Sequence, residues 1–341
     1  MTTVRVLTSH REPRATTNPY ITMLTAALRR TPDVEVVTFT GRAALLGRYD
    51  VVHLHWPETV TGLGGRRLTG RVARWLLAAL LLLRLTVTRT PVVRTVHNVG
   101  LPADAGPAQR LLLRWFDRLT THRIVLNDRT ECPGPVTTIP HGHYRDWYTG
   151  PWAATVPGRF QYVGLVRRYK GVEGLVEAFR ATTAPDVSLE VAGAASTPEL
   201  AATVTGLAAG DPRITLRLTF LSDDELVAAV TAAELVVLPY RFMHNSGTVL
   251  AALSLDRPVL VPDTSVNADL AAEVGPGWIH TFTGELTAED LTRALTAARV
   301  PRAPSPDLGA REWDDAGQAH LDVYRTALSR SRSAGRAEVP A

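Results

Sequence analysis

At 341 residues, 45% apolar and 21% charged, the chain is too long for one ordinary core and has the make-up of a soluble globular protein of two domains. Its single cysteine, Cys132, excludes an intramolecular disulfide and a Cys-rich zinc site and fits a reducing cytosol. The net charge of +4 is unevenly spread: residues 1–150 carry 20 basic and 10 acidic side chains, and residues 151–341 carry 17 and 23. A basic front half suits an anionic partner such as a membrane surface, a phosphorylated substrate or nucleic acid, or it is two solvated surfaces that differ in sign.

The opening stretch, MTTVRVLTSHREPR, has no apolar h-region, so no secretory signal is expected. Strand-like runs follow at Val4–Thr8, Val34–Phe39, Val51–His55, Val92–Val96, Arg123–Leu126 and Val136–Ile139, with amphipathic stretches at Tyr20–Arg30 and Ala108–Leu119. Further runs lie at Phe160–Gly164, Ser188–Ala192, Ile214–Thr219, Leu235–Pro239 and Val259–Pro262. Helical stretches separate them at Gly171–Thr182, Thr197–Ala208, Asp223–Ala232 and Thr248–Leu255. Buried strands alternating with helices predict an α/β fold with a doubly wound parallel sheet, and here the pattern occurs twice. The Pro- and Gly-rich stretch Tyr148–Arg159 marks the boundary, dividing domains at 1–150 and 151–308. Residues 309–330 predict a closing helix on the N-terminal domain, and 331–341 a flexible tail.

The run Arg66–Leu85 has an apolar core of nine residues, Trp75–Leu83, flanked by Arg66, Arg67, Arg71, Arg74 and Arg84. A spanning helix needs ~20 residues. The run is therefore a helix buried on the first sheet, the commoner fate, or a basic amphipathic helix resting on anionic lipid. SDDE at 222–225 and TAED at 287–290 read as capping boxes rather than metal ligands. No Asp-x-Asp pair or His/Cys spacing resembles a metal site, so no metal is expected.

One of the 37 basic residues is a lysine, Lys170, in YVGLVRRYKG. A slim ammonium approaches one phosphate oxygen as a point charge where a planar guanidinium collides. It follows a strand and precedes a helix, where phosphates sit in open α/β sheets, so Arg167 and Lys170 are candidates to clamp a diphosphate. HNSGT, at His244, Asn245, Ser246, Gly247 and Thr248, opens a helix on the same sheet edge. It offers a cap, backbone N–H groups and a hydroxyl. In the first half, His55, Trp56 and Glu58 end one strand, and His97 and Asn98 end another. A third cluster holds His141, and the loop Ser9–Tyr20 closes over the same edge. Such strand-end clusters are candidates for function, though a lone strand-end histidine is more often structural.

YVGLVRRYKG, HNSGTVLAALSLDRPVLVPD and the closing helix together resemble a GT-B glycosyltransferase, nearest to the family 4 ("group 1") enzymes that use nucleotide-sugar donors. The resemblance implies two Rossmann-like domains facing across a cleft, with no cofactor beyond a nucleoside-diphosphate sugar as donor substrate. It assigns Arg167 and Lys170 to the donor diphosphate and His244–Thr248 to the donor loop. His97 goes near the transferred sugar, and Asn18, Tyr20, His55 and Trp56 to the acceptor side, with Asn98 and His141 grouped there. The two glutamates usual in the family's donor loop are absent, their places falling at Phe242–Asn245 and Ala251. The implied reaction is transfer to a saccharide, glycolipid or small-molecule hydroxyl. Without a metal, the leaving charge falls to Arg167, Lys170 and the helix start. If the reaction retains configuration, the leaving phosphate assists and His97 steadies the sugar; if it inverts, Glu58 is the base. The single cysteine points to the cytoplasm, and the basic front half with the 66–85 run points to peripheral contact at the inner face of the plasma membrane. No nucleic-acid partner is expected, because the basic half lacks interleaved aromatics. The alternatives are a non-catalytic sugar- or nucleotide-binding protein on this scaffold and a nucleotide-sugar epimerase.

Overall fold

The computed structural model describes residues 2–62, 68–97 and 105–337. The chain forms two compact units, Met1–Gly142 with Arg311–Ala341, and His143–Ala310.

The first unit opens with β1 (Val4–Thr8), α1 (Pro19–Arg30), β2 (Val34–Val37), α2 (Gly41–Leu46), β3 (Val51–Leu54), α3 (Pro57–Thr61) and α4 (Leu68–Thr88). It continues through β4 (Val92–Val96), α5 (Pro107–Leu119), β5 (Thr120–Val125) and β6 (Val136–Thr138). The strands form one parallel sheet in the order β2-β1-β3-β4-β5-β6. The central strand β3 is buried throughout, as a parallel sheet covered on both faces demands. Helix α1 starts where it does because Asn18 caps it and Pro19 occupies its first turn.

The second unit runs β7 (Arg159–Val163), α6 (Val172–Arg180), β8 (Ser188–Ala192), α7 (Pro198–Ala208), β9 (Ile214–Arg217) and α8 (Asp223–Ala232). It then runs β10 (Leu235–Val237), α9 (Gly247–Ser254), β11 (Val259–Pro262), α10 (Ser265–Val274), β12 (Ile279–Phe282) and α11 (Ala288–Ala298). Its sheet is also parallel, ordered β12-β11-β10-β7-β8-β9. Ser222 with Glu225, and Thr287 with Asp290, form the two expected capping boxes. The last helix, α12 (Trp313–Ala337), packs against α1 and the strands β1, β3, β4 and β5.

The chain divides after Gly142, earlier than the Pro/Gly-rich stretch, because the segment that follows is bonded to the second unit. The Tyr144 amide donates to Ser254 Oγ at 2.8 Å, Arg145 reaches the Pro306 carbonyl, and Trp147 Nε1 donates to Asp223. Helix α12 continues to Ala337, past the expected end at Arg330.

Helix α4 covers the first sheet with one face, as the first of the two readings of this run expects, and leaves apolar side chains on the other. Ala78, Leu81, Leu82 and Leu85 enter the core, while Val72, Leu76, Leu80, Leu83 and Val87 are exposed. No helix among the described residues is long and apolar enough to cross a membrane.

Candidate active site

In each sheet the chain starts at an inner strand, builds outward on one side, then crosses to the other. The reversal falls between β1 and β3 in the first sheet and between β7 and β10 in the second. Crevices at such switch points, beyond the carboxyl ends of the strands, are where open α/β sheets bind ligands.

In the second unit, the loop leaving β7 turns at Gly164, whose φ of +109° suits a residue without a side chain. A Cβ there would lie 3.5 Å from Lys170 Nζ and 3.7 Å from Thr248 Oγ1, so both groups face the space over Gly164. Beside the ammonium lies the ring of Tyr240, 4.8 Å from Nζ, and the Tyr240 hydroxyl donates to Thr248 Oγ1 at 3.4 Å. Ser246 caps α9, accepting from the Val249 amide at 3.4 Å. Gly247 and Thr248 open that helix, whose first N–H groups have no partner within the helix itself. A cation, a hydroxyl and a helix N-terminus thus meet at the switch point, an arrangement suited to an anion. Arg167 precedes the short 3-10 turn Arg168–Lys170 and is exposed.

Backbone contacts hold the two loops together. The Arg241 amide donates to the Tyr169 carbonyl at 2.8 Å, and Gly171, at φ +66°, packs its Cα against the Pro239 carbonyl. Gly171→Ala would drive a methyl group into that carbonyl. It should lower stability by about 1–3 kcal/mol and turnover with it, read as a drop in both Tm and kcat. His244 and Asn245 lie half-buried before α9, and burial lowers the His244 pKa. Ala251 is buried in α9, so no carboxylate stands at the position where the family's ribose-binding glutamate is expected.

In the first unit, the exits of β1 and β3 are joined by the His55 amide donating to Ser9 Oγ at 3.0 Å. His55 Nδ1 and His97 Nε2 lie 3.3 Å apart and share one proton. Trp56 stacks on His97 with centroids 4.1 Å apart and an 18° tilt. Tyr20 is the hub, its ring meeting His97 at 5.1 Å, His141 at 4.6 Å and Trp313 at 5.6 Å. His141 donates from Nδ1 to the Gly142 carbonyl. Burial keeps these imidazoles neutral. The His97 pKa is pushed down to about 3, with His141 and Arg94 adding to the effect, and that of His141 to about 4.

Tyr20, His55, Trp56, His97 and His141 are therefore brought together. Asn18 is spent on the cap of α1, its Oδ1 accepting from the Tyr20 amide at 3.0 Å. Glu58 sits half-buried in the first turn of α3, two residues past Trp56. Asn98 lies outside the described residues. Among the described residues, no group of three or more His, Cys, Asp or Glu could hold a metal ion.

Beneath this cluster is His53, buried, with Nδ1 2.8 Å from the Tyr324 hydroxyl and Nε2 2.8 Å from Thr95 Oγ1. Sequence reading missed His53, Tyr324 and, in the other unit, Tyr240. The repeat of histidine at 53 and 55 was the available signal, since alternate strand residues share a face.

Residues 157–298 match the family model of group 1 glycosyl transferases. Over 335 residues the chain is 47% identical to the GDP-mannose:glycolipid 4-beta-D-mannosyltransferase of Xanthomonas campestris pv. campestris, covering 97% of this chain and 95% of that protein. The chain belongs to the GT-B glycosyltransferases. This glycosyltransferase is a hexosyl-transferring enzyme of two Rossmann-like domains. Two solved structures share its fold. One is sucrose-phosphate synthase from Thermosynechococcus elongatus, with a TM-score of 0.63 and 14% identity, over 96% of this chain and all (100%) of that one. The other is Anabaena HepE in complex with UDP and glucose, with a TM-score of 0.59 and 14% identity, over 98% of this chain and 100% of that one.

Proposed function

We propose that this glycosyltransferase moves mannose from GDP-mannose to a hydroxyl of a glycolipid with inversion, giving a β-mannoside, at the cytoplasmic face of the plasma membrane. The observation that carries the transfer chemistry is the convergence of Lys170 and Thr248 over Gly164 at the start of α9. The choice of substrates is supported by the 47% identical mannosyltransferase, which spans nearly the whole chain.

The reaction builds negative charge on the departing diphosphate as the sugar passes through an oxocarbenium-like state. Fixed cations and dipoles offset such charge without reorganising. Lys170 supplies the point charge, Arg167 a second cation, and the first amides of α9 the dipole. These groups make a metal ion unnecessary, so turnover should persist in EDTA; full loss on chelation, restored by a divalent ion, would refute this.

GDP-mannose carries its sugar in the α configuration, so a β product requires inversion and a base on the acceptor hydroxyl. His97 is a poor candidate, with its pKa at about 3 and its Nε2 shared with His55. It serves instead as a neutral hydrogen-bonding group beside the sugar. Glu58, in the first turn of α3, takes the proton. Glu58→Gln should lower kcat by about 10²–10⁴ with little change in Tm. The absence of the family's two donor-loop glutamates, associated with retaining members, fits this outcome.

The test is incubation with GDP-mannose, UDP-glucose and UDP-N-acetylglucosamine beside a lipid-linked saccharide acceptor. GDP release that depends on the acceptor, with a β-anomeric signal in the proton NMR spectrum, is expected. Release from a uridine donor alone, or an α product, would overturn the proposal.

A further inference from the structure

The face of α4 turned away from the core takes no part in the chemistry above. At 100° per residue, Val72, Leu76, Leu80, Leu83 and Val87 fall within an arc of about 80°. Ala78, Leu81, Leu82 and Leu85 enter the core from the opposite side. The five outward side chains are between 42% and 74% exposed. A single exposed leucine needs no explanation, but a stripe of five along one helix is what soluble surfaces avoid. The two helices packed beside α4 also expose apolar side chains: Leu46 on α2, 79% exposed, and Leu111 on α5, 64% exposed.

Charge decides what covers it. Helices α2, α4 and α5 carry seven arginines and one acid, Asp117. That acid is bound to Arg94 at 3.1 Å and Arg123 at 2.8 Å. A second copy of this face would repel the first, whereas anionic headgroups attract such a surface and an acyl boundary accepts the leucines.

We propose that the outer face of α4, with its neighbours on α2 and α5, docks the enzyme on an anionic lipid bilayer. The leucines enter the headgroup–acyl boundary, and arginines such as Arg114 and Arg118 on α5 meet the headgroups. The surface stands on its own geometry and needs no donor or acceptor, so it can be tested apart from the reaction.

The test is co-sedimentation of the full chain with vesicles of phosphatidylcholine alone or mixed with phosphatidylglycerol. The wild type should bind the mixed vesicles and bind the neutral ones weakly. The triple variant Leu76→Ser/Leu80→Ser/Leu83→Ser should lower the partition coefficient about tenfold or more. Its Tm should be unchanged, because these side chains support no core. Arg114→Glu/Arg118→Glu should weaken binding to the mixed vesicles alone. A wild type that stays in the supernatant, or a triple variant that binds as well as the wild type, would overturn the proposal. So would a lipid-free dimer, seen by sedimentation equilibrium, that the triple variant dissolves.

Discussion

Lys170→Ala should lower kcat about 10²–10³-fold, roughly 3–4 kcal/mol of transition-state stabilisation, and leave Tm near its original value. The ammonium faces the space over Gly164 beside Thr248 and rests on the Tyr240 ring. It supports no core, so its loss removes a charge and little packing. The fall should appear in kcat more than in KM, because charge on the diphosphate is greater in the transition state than in the bound donor. Lys170→Arg should recover little of the loss. A planar guanidinium does not present its charge to a single phosphate oxygen as a compact ammonium does. Steady-state kinetics on both variants, with thermal unfolding as the control, checks this. Near-normal turnover in Lys170→Ala would remove the leaving-group role.

Acid should destabilise the first unit well before its carboxylates titrate. His53, His55 and His320 are buried, and burial is the largest cause holding their pKa values down, that of His320 to about 4. The folded state keeps them neutral while the unfolded chain takes protons near its usual histidine pKa. The unfolded state therefore binds more protons below about pH 6.5, and stability falls as pH falls. Each such histidine costs about 1.4 kcal/mol per pH unit in that window, and three together on the order of 4 kcal/mol per unit. Above pH 6.5 the effect is absent. Tm measured from pH 7.5 to 5 should be flat and then drop steeply. His53→Gln/His320→Gln should shallow the drop even if both variants start less stable. An unchanged Tm down to pH 5 would contradict the neutral buried cluster.

Much of this was legible in the chain itself. Strands buried on both faces, such as Val92–Val96 and Val259–Pro262, announce themselves as apolar runs. The capping boxes at Ser222 and Thr287 mark helix starts because a cap is a local device. Edge strand β12, reading IHTF and half-buried, has too little apolar signal and was passed over. His53 could not be assigned, because its partners Thr95 and Tyr324 lie 42 and 271 residues away. Helix α4 was left with two readings for a different reason. A run apolar on every side does not say which side the sheet covers, and only the fold separates Leu82 from Leu83. In the site, Lys170 was conspicuous as the one lysine, while Tyr240 carried no such mark.

The hydroxyl of Tyr324 that reaches His53 belongs to the last helix, which packs on the first unit. Synthesis from the amino terminus makes everything up to Ala310 before that helix. The nascent second unit can therefore close while the first still waits, its buried histidine short of a partner. Clipping the chain ahead of Trp313 would leave the amino-terminal half a client for chaperones, although every one of its own strands was present.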